Sequence, residues 1–263
     1  MENYINKIIQ GNCLDVLKTF PDNVIDLTIT SCPYDDLRNY HGYSFDFEGI
    51  AKELYRVTKQ GGVVVWVVGD ATIKGSETGT SFKQALYFKE LGFALHDTMI
   101  YEKNSCAFPS SNRYNQIFEY MFILSKGKPK CINLIKDRKN RWLKSFGKSS
   151  NRNKNGTLTQ KEVIRVKEFG IRNNIWKYNT GFGYTTLDKY AFEHPAMFPE
   201  KLAKDHILSW SNENDIILDP MCGSGTTCKM AHELNRKFIG IEISKEYCEI
   251  ANKRINIKQM KLF

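Results

Sequence analysis

The sequence has no long apolar run and no closely spaced cysteine pair. Its longest apolar run, residues 63–68, is far shorter than the roughly 18 residues that a membrane span requires. The N-terminal MENYINKIIQGN lacks the basic stretch followed by an apolar stretch that marks a signal peptide. The seven cysteines are odd in number and never spaced C-x-x-C, which argues against a zinc site and a disulfide framework. We therefore expect a cytoplasmic protein with reduced thiols.

Histidines are also few, and their positions suggest no metal site. None of the five shows the spacing of a ligand pair, so we expect structural or surface roles for them and no bound metal. The five positions are His41, His96, His194, His206 and His232.

The positive charge is concentrated in one segment. Residues 126–190 contain 17 Lys and Arg against 4 Asp and Glu, whereas the rest of the chain contains 21 against 25. A basic segment within an otherwise slightly acidic protein favours a surface that binds a polyanion. A solvated basic loop is the alternative. The overall composition, 41% hydrophobic and 25% charged, is ordinary for a soluble globular protein.

Strand-like and helix-like patterns alternate on both sides of the basic segment. VIDLTITS (24–31) and VVVWVVGD (63–70) are typical of buried strands, and FEGIAKELYRVTKQGG (47–62) predicts a helix that ends at glycines. The buried face of that helix is predicted to carry Ile50, Leu54 and Val57. This alternation predicts an α/β fold, a doubly wound and mostly parallel sheet with helices on both faces.

The basic segment interrupts this alternation. Residues 126–190 are rich in Lys, Arg, Asn and Gly with interleaved aromatics, and they are too many for an ordinary loop. We therefore expect residues 1–125 and 191–263 to form two halves of one core, with residues 126–190 as a functional insertion.

The strongest local signal is IILDPMCGSGTT (216–227), a strand followed by a glycine-containing loop and a helix. Glycines there let the backbone approach a ligand, and Glu242, ending the next strand, can accept hydrogen bonds from ribose hydroxyls. Thr226 stands where a P-loop needs lysine, and Cys228 breaks the dinucleotide pattern G-x-G-x-x-G. Asp219 would repel phosphates but suits a cationic amino group. These features favour S-adenosylmethionine over a turn without a ligand. The candidate cofactor residues here are Asp219, Met221, Gly223, Ser224, Gly225, Thr226 and Glu242.

A second candidate site follows the first predicted strand. That strand ends in Ser31, Cys32, Pro33 and Tyr34, at the edge where open α/β sheets bind ligands. Such a turn can present hydroxyl and carbonyl oxygens to an amino group while the aromatic ring stacks on a planar base. A plain turn without chemistry is the alternative.

Together the two sites resemble the β class of amino-methylating (cytosine-N4 or adenine-N6) DNA methyltransferases. That family has a catalytic (Asp/Ser/Asn)-Pro-Pro-(Tyr/Phe/Trp) motif, then a target-recognition region, then a D-P-F-x-G-x-G-T cofactor loop. Here TSCPY (30–34) precedes LDPMCGSGTT (218–227), in the same order. The resemblance implies a circularly permuted Rossmann-like fold with one antiparallel strand near the sheet edge.

The resemblance covers nearly everything except the basic middle and implies further roles. Asn12 and Cys13 would touch the cofactor adenine, and Phe198, Pro199 and Leu202 would line the cofactor pocket. Residues 126–190 would recognise the target. The implied partner is double-stranded DNA, and the resemblance also allows a homodimer and a cognate restriction endonuclease.

Two departures from the family pattern bear on the chemistry. Cys32 replaces the first proline, and Met221-Cys222 replaces Phe-x. Cys32 is not expected to be a nucleophile, because cytosine-C5 enzymes use a Pro-Cys pair and here the order is Cys-Pro. Serine at the first motif position favours cytosine-N4 over adenine-N6 methylation. The same motifs leave two more functions open, methylation of RNA or protein and DNA binding without catalysis.

Overall fold

The computed structural model of the protein describes residues 1–33, 45–106, 111–141, 149–161, 167–194 and 196–256. Tyr34 of the predicted catalytic motif lies outside the described residues. The chain divides into two compact units, residues 1–133 with 174–263, and residues 134–173. Within the described part of the chain, none of the helices has both the length and the apolar character that a membrane span requires.

Strands and helices alternate through residues 1–133 and 174–256, and four further short strands lie in the described part of the second unit. The strands are β1 (Lys7–Gln10), β2 (Ile25–Ser31), β3 (Thr58–Val68), β4 (Thr72–Ile73), β5 (Ser76–Glu77), β6 (Ala94–Lys103), β7 (Phe118–Ser125), β8 (Arg138–Lys139), β9 (Ser149–Arg152), β10 (Leu158–Lys161), β11 (Phe169–Gly170), β12 (Ile175–Tyr178), β13 (Ile216–Asp219) and β14 (Lys237–Glu242). The α-helices are α1 (Cys13–Lys18), α2 (Phe47–Val57), α3 (Thr80–Glu90), α4 (Glu200–Trp210), α5 (Thr226–Glu233) and α6 (Lys245–Asn256), and Lys189–Glu193 form a 3-10 helix.

Eight strands form the main sheet in the order β1-β14-β13-β2-β3-β7-β6-β12. Among these described strands, β7 alone is antiparallel to its neighbours, β3 and β6, and the remaining pairs are parallel. The predicted doubly wound, mostly parallel sheet with one antiparallel strand is therefore confirmed. The C-terminal strands β13 and β14 lie between β1 and β2, so the two ends of the chain build one sheet.

Both faces of the sheet are covered, as the continuous apolarity of β3 predicts. Val64, Trp66 and Val68 pack in the core with residues of α2 and α3, and the alternate valines of β3 are buried as well. The helices form two groups, in which α1, α2 and α3 pack side by side, as do α4, α5 and α6.

Helix α2 confirms its predicted buried face but ends earlier than predicted. Ile50, Leu54 and Val57 are all buried, and the Asp46 side chain caps the helix by accepting from the Gly49 amide at 2.9 Å. The helix ends at Val57 because Thr58 adopts an extended conformation (φ −70°, ψ 130°) and pairs with Ile25 of β2. Residues 58–62, predicted as the helix end, therefore begin β3.

The second unit consists of two short antiparallel pairs, β9 with β10 and β8 with β11. An ion pair joins the two ends of this unit: the guanidinium of Arg172, near its last residue, contacts the carboxylate of Asp137, near its first. This unit is smaller than the predicted insertion, since residues 126–133 and 174–190 belong to the first unit and β12 extends the main sheet beside β6.

Candidate active site

A cavity of about 1550 Å³ lies at the carboxyl ends of the parallel strands. Five neighbouring strands contribute to its wall, and the residues that follow them are 11–15 after β1, 31–33 after β2, 69–72 after β3, 219–224 after β13 and 242–243 after β14. Ligands bind at this edge in open α/β sheets, at the point where the strand order reverses. The two sites predicted from sequence therefore meet in one cavity.

The cofactor loop is built on glycines that have no room for a side chain. Gly223 and Gly225 have φ values of +49° and +77°, in the region that favours glycine. A Cβ on Gly223 would lie 2.6 Å from His194 Nε2, and one on Gly225 would lie 2.7 Å from the Ala251 Cβ. Gly225 sits at the N-cap of α5, behind the cavity wall rather than in it.

Two buried carboxyl groups face the cavity from adjacent strands. Asp219 is 3% exposed and accepts from the Met221 amide at 3.3 Å, and burial raises the pKa of its carboxyl to about 6. Glu242 is 9% exposed and accepts from the Gly223 and Ser244 amides at 2.8 and 2.9 Å. Burial raises the pKa of Glu242 as well. Two acids beside a glycine loop fit a cofactor that carries a cationic amino group and ribose hydroxyls.

The described residues of the predicted catalytic motif, Ser31 to Pro33, also line the cavity. Ser31 and Pro33 are half-buried in its wall. Cys32 is only 3% exposed, and its thiol is engaged by the core, 3.7 Å from Gln84 Oε1 and 4.0 Å from the Val67 carbonyl. The indole of Trp66 donates to the same Gln84 oxygen at 2.8 Å. The thiol thus links the turn to β3 and α3. These contacts give Cys32 a structural role at the position where the family pattern has a proline.

The other predicted cofactor residues are divided between the cavity and its surroundings. Those in the wall are Asn12, Cys13, Phe198, Met221, Ser224 and Thr226. Asn12 also caps α1, accepting from the Leu14 amide at 2.9 Å, and burial raises the pKa of the Cys13 thiol to about 11. Pro199 and Leu202 do not line the cavity, and Leu202 is fully buried in the core.

The structure adds wall residues that sequence reasoning missed. His194, predicted to be structural or on the surface, lines the cavity with its ring edge-on to Tyr247 at 4.4 Å between centroids. A lone histidine carries no sequence signal for this position. Residues 69–72 also line the cavity, and the rule that ligands bind at strand ends, applied to β3, would have found them.

Comparison with known proteins agrees with this geometry. A family model described as DNA methylase, of the N6/N4 type, matches residues 25–253. The orphan methyltransferase M.BamHII of Bacillus amyloliquefaciens is 68% identical over 89% of this chain and 89% of its own length. The DNA adenine methyltransferase YhdJ of Escherichia coli is 28% identical over 97% of this chain and 84% of its own length.

Solved structures share the fold at low sequence identity. The cytosine-N4-specific PvuII DNA methyltransferase matches with a TM-score of 0.69 and 22% identity, over 95% of this chain and 88% of that one. The complex of M1.HpyAVI with S-adenosylmethionine matches with a TM-score of 0.63 and 23% identity, over 95% and 99%. The resemblance predicted from the motifs is confirmed: the chain belongs to the N6/N4 DNA methylase family and is an S-adenosylmethionine-dependent DNA methyltransferase.

Proposed function

We propose that this methyltransferase modifies the exocyclic N4 amine of a cytosine in double-stranded DNA, after that base has left the helix. One juxtaposition carries the proposal. Ser31 ends β2 and Pro33 follows it, Asp219 ends the neighbouring β13, and all three line one cavity. In the resembled family, serine at the first motif position goes with cytosine-N4. The cytosine-N4 specificity of the PvuII enzyme, whose fold this chain shares, supports the same target.

The turn after β2 has the acceptors that such a reaction needs. When bound, S-adenosylmethionine supplies a methyl group on a positively charged sulfur. The Ser31 hydroxyl and the carbonyls of Cys32 and Pro33 can accept the hydrogens of a base amino group. Accepting them draws the nitrogen lone pair out of ring conjugation. Because positive charge grows on that nitrogen, acceptors held in place stabilise the transition state.

The remaining catalytic role falls on Tyr34, which lies outside the described residues. Its ring would stack on the flipped base, a contact worth on the order of 1–3 kcal/mol. An exocyclic amine would take the methyl group directly: the nitrogen–carbon bond would form as the carbon–sulfur bond breaks to leave a neutral thioether, and the surplus amine proton would pass to water. The reaction therefore requires no covalent bond to Cys32. The burial and contacts of the Cys32 thiol support this assignment.

The opposite part of the cavity would hold the cofactor. Asp219 would take its cationic amino group and Glu242 its ribose hydroxyls. Asn12 and Cys13 would contact the adenine from the end of β1, with Phe198 opposite. The loop 221–226 would approach the ligand with its backbone, since Gly223 leaves no side chain in the way.

The second unit would provide target recognition. Residues 134–173 contain 12 Lys and Arg against 3 Asp and Glu. The exposed basic side chains among its described residues are Lys136, Arg138, Lys139, Arg141, Arg152, Lys154 and Lys167. Exposed cations of this density suit DNA phosphates, which position the protein rather than specify a sequence. This proposal puts the recognition region inside the predicted residues 126–190.

Nucleoside mass spectrometry tests the base assignment. Mixed-sequence duplex DNA, and RNA in parallel, are incubated with the protein and S-adenosylmethionine carrying a deuterated methyl group. The label separates new methylation from methylation already present. The Ser31→Ala variant is the matched control. We expect labelled N4-methylcytosine in DNA, strongly reduced in the variant.

Each different result has a definite meaning. Labelled N6-methyladenine would overturn the cytosine assignment, leave the catalytic mechanism in place and agree with the relative YhdJ. Label in RNA alone would overturn DNA as the target of this chain. Undiminished activity of Ser31→Ala would overturn the role of the hydroxyl.

The partner predictions extend this proposal. The 68% identical relative is an orphan methyltransferase, which supports an enzyme that works without a paired endonuclease. The homodimer stays a prediction, and analytical ultracentrifugation with and without duplex DNA would test it.

A further inference from the structure

Four charged side chains form a closed cluster beneath the cofactor loop. They are Asp188, Glu200, Lys229 and Arg254, of which Arg254 is fully buried and the other three are partly buried, and we call them the ionic cluster. Lys229 Nζ lies 2.6 Å from Asp188 Oδ2 and 2.8 Å from Glu200 Oε1. Arg254 contacts the same two oxygens at 3.0 and 2.7 Å. Each cation therefore pairs with each anion, and none of the four lines the cavity.

The cluster joins two walls of the cavity that are far apart in sequence. Asp188 and Glu200 bracket the segment that carries His194, Met197 and Phe198, all of which line the cavity. Both ends of that wall segment are thereby tied to α5 through Lys229 and to α6 through Arg254.

Arg254 connects the cluster to the cofactor loop itself. Its Nη1 donates to the Ser224 carbonyl at 2.8 Å, to the Ser224 hydroxyl at 3.0 Å and to the Thr226 hydroxyl at 3.0 Å. Ser224 and Thr226 line the cavity. The Arg254 side chain is 0% exposed, and all three of its nitrogens have partners. Only the planar fork of an arginine can serve the loop and both carboxylates at once.

Such a cluster is a poor way to gain stability alone. Taking ion pairs out of water has a desolvation cost, which their attraction offsets only when the geometry is good. Apolar side chains of similar size would hold α5 and α6 together as well. A charged ring instead fixes the distance and orientation of the groups it joins, and here those groups are the two walls of the site.

We infer that Arg254 is a positioning residue of the cofactor site, which sets the spacing between the loop 219–226 and the wall residues His194, Met197 and Phe198. The inference rests on the proposed role of that loop in holding S-adenosylmethionine. Loss of the guanidinium would let the two walls separate. Cofactor affinity would fall, whereas turnover at saturating cofactor would change little, because the Ser31 turn does not touch the cluster.

Calorimetric titration of the protein with S-adenosylmethionine and with S-adenosylhomocysteine tests this inference. The variants are Arg254→Met, Arg254→Lys and the isosteric Asp188→Asn. Arg56→Met is the matched control, because Arg56, like Arg254, joins backbone to two carboxylates: it donates to the carbonyls of Leu17 and Phe20 and to Asp22 and Glu53. None of these groups lines the cavity. Thermal unfolding of every variant is measured alongside.

We expect Arg254→Met to raise the Kd for both ligands on the order of tenfold to a hundredfold, which corresponds to a loss of about 1.4–2.8 kcal/mol of binding free energy. Arg254→Lys should raise it less and Asp188→Asn least, while Arg56→Met lowers the melting temperature without changing the Kd. An Arg254 variant that is destabilised like Arg56→Met but binds normally would overturn the inference. Should Arg254→Met not fold, an unchanged Kd in Asp188→Asn and Arg254→Lys would do the same. A wild-type protein that binds neither ligand would instead overturn the proposed cofactor site.

Discussion

The two ends of the cavity are held in place by different chemistry. At the cofactor end, the carboxyl groups of Asp219 and Glu242 are buried, and the ionic cluster holds the loop between them through Arg254 and Ser224. At the catalytic end, the turn from Ser31 to Pro33 is anchored by neutral groups, the Cys32 thiol, the Gln84 amide and the Trp66 indole.

The difference follows from what each end binds and from how it is assembled. A cationic ligand calls for negative charge kept out of water, whereas an uncharged base amine calls for neutral acceptors. The catalytic turn directly continues β2, which pairs with β3 from Leu27 to Ser31. The cofactor end combines segments from three distant parts of the chain, and its walls need a link that strand pairing does not supply. Substitutions at the two ends should therefore separate turnover from affinity.

The largest effect is expected from Ser31→Ala at the catalytic end. Loss of one prearranged acceptor should lower the rate of methyl transfer on the order of 10²–10³-fold. The Kd for S-adenosylmethionine should stay the same, because the cofactor end is untouched. Single-turnover kinetics measures the rate and calorimetry measures the Kd. A Ser31→Ala variant that loses cofactor affinity but keeps its rate would contradict the assignment of separate roles to the two ends.

Lowering the pH should weaken cofactor binding through Asp219. The pKa of Asp219 is raised to about 6 by burial, so the carboxylate proposed to bind the cationic amino group is lost as the pH falls through 6. Affinity should then fall by about tenfold for each further pH unit, until the pKa of the bound state is reached. Calorimetry between pH 5 and 8 measures this slope. Asp219→Asn should bind weakly at every pH in that range, and a slope that persists in this variant would assign the titration to another group.

A smaller change in turnover is expected from Gln84→Met, which tests whether the uncharged contacts of Gln84 hold the Ser31 turn in place. The variant leaves the Trp66 N–H buried without its acceptor, a loss of about 1–3 kcal/mol in the free energy of unfolding. Turnover should fall severalfold as the Ser31 turn loosens, with an unchanged cofactor Kd. Chemical denaturation and steady-state kinetics give the two values. Equal loss of affinity and turnover would mean that Gln84 supports the whole cavity.

The smallest effect is expected from Cys32→Ala. The contacts of the thiol with Gln84 and the Val67 carbonyl are long, so its loss should lower the free energy of unfolding by about 1 kcal/mol and lower turnover by less than Gln84→Met, which also removes the acceptor of the Trp66 indole. Activity assays before and after treatment with a thiol-alkylating reagent complete the test. If Cys32→Ala abolished activity, Cys32 would have to be reconsidered as a catalytic nucleophile, a role that the Cys-Pro order argues against.

Sequence reasoning found the strands and motifs that define the site, for identifiable physical reasons. Buried parallel strands are continuously apolar, and a glycine loop after such a strand marks the edge where ligands bind. β2, β3, β13 and β14 carry these patterns, so Ser31, Asp219 and Glu242 could be assigned to one edge of one sheet before their positions were known.

The missed features depend on contacts between distant segments. Arg254 lies in the last turn of α6, where a basic residue is expected on the surface for its interaction with the helix dipole. Its burial is set by Asp188 and Glu200, which local periodicity cannot reveal. His194 escapes sequence reasoning for the same reason, since its position against Gly223 arises only in the folded chain. Local patterns also missed where α2 ends, because Thr58 leaves the helix to pair with β2.

The interleaved strand order also has a consequence for synthesis. β1 and β2 are made first, but β14 and β13 must enter between them. Ser31 and Asp219 are about 190 residues apart in the chain, which a ribosome takes roughly 10–40 s to add. During that interval the nascent chain exposes unpaired edges of β1 and β2 and has no cofactor cavity. The protein should therefore depend on chaperone protection late in translation. Fragments truncated before β13 should aggregate and should have no affinity for the cofactor.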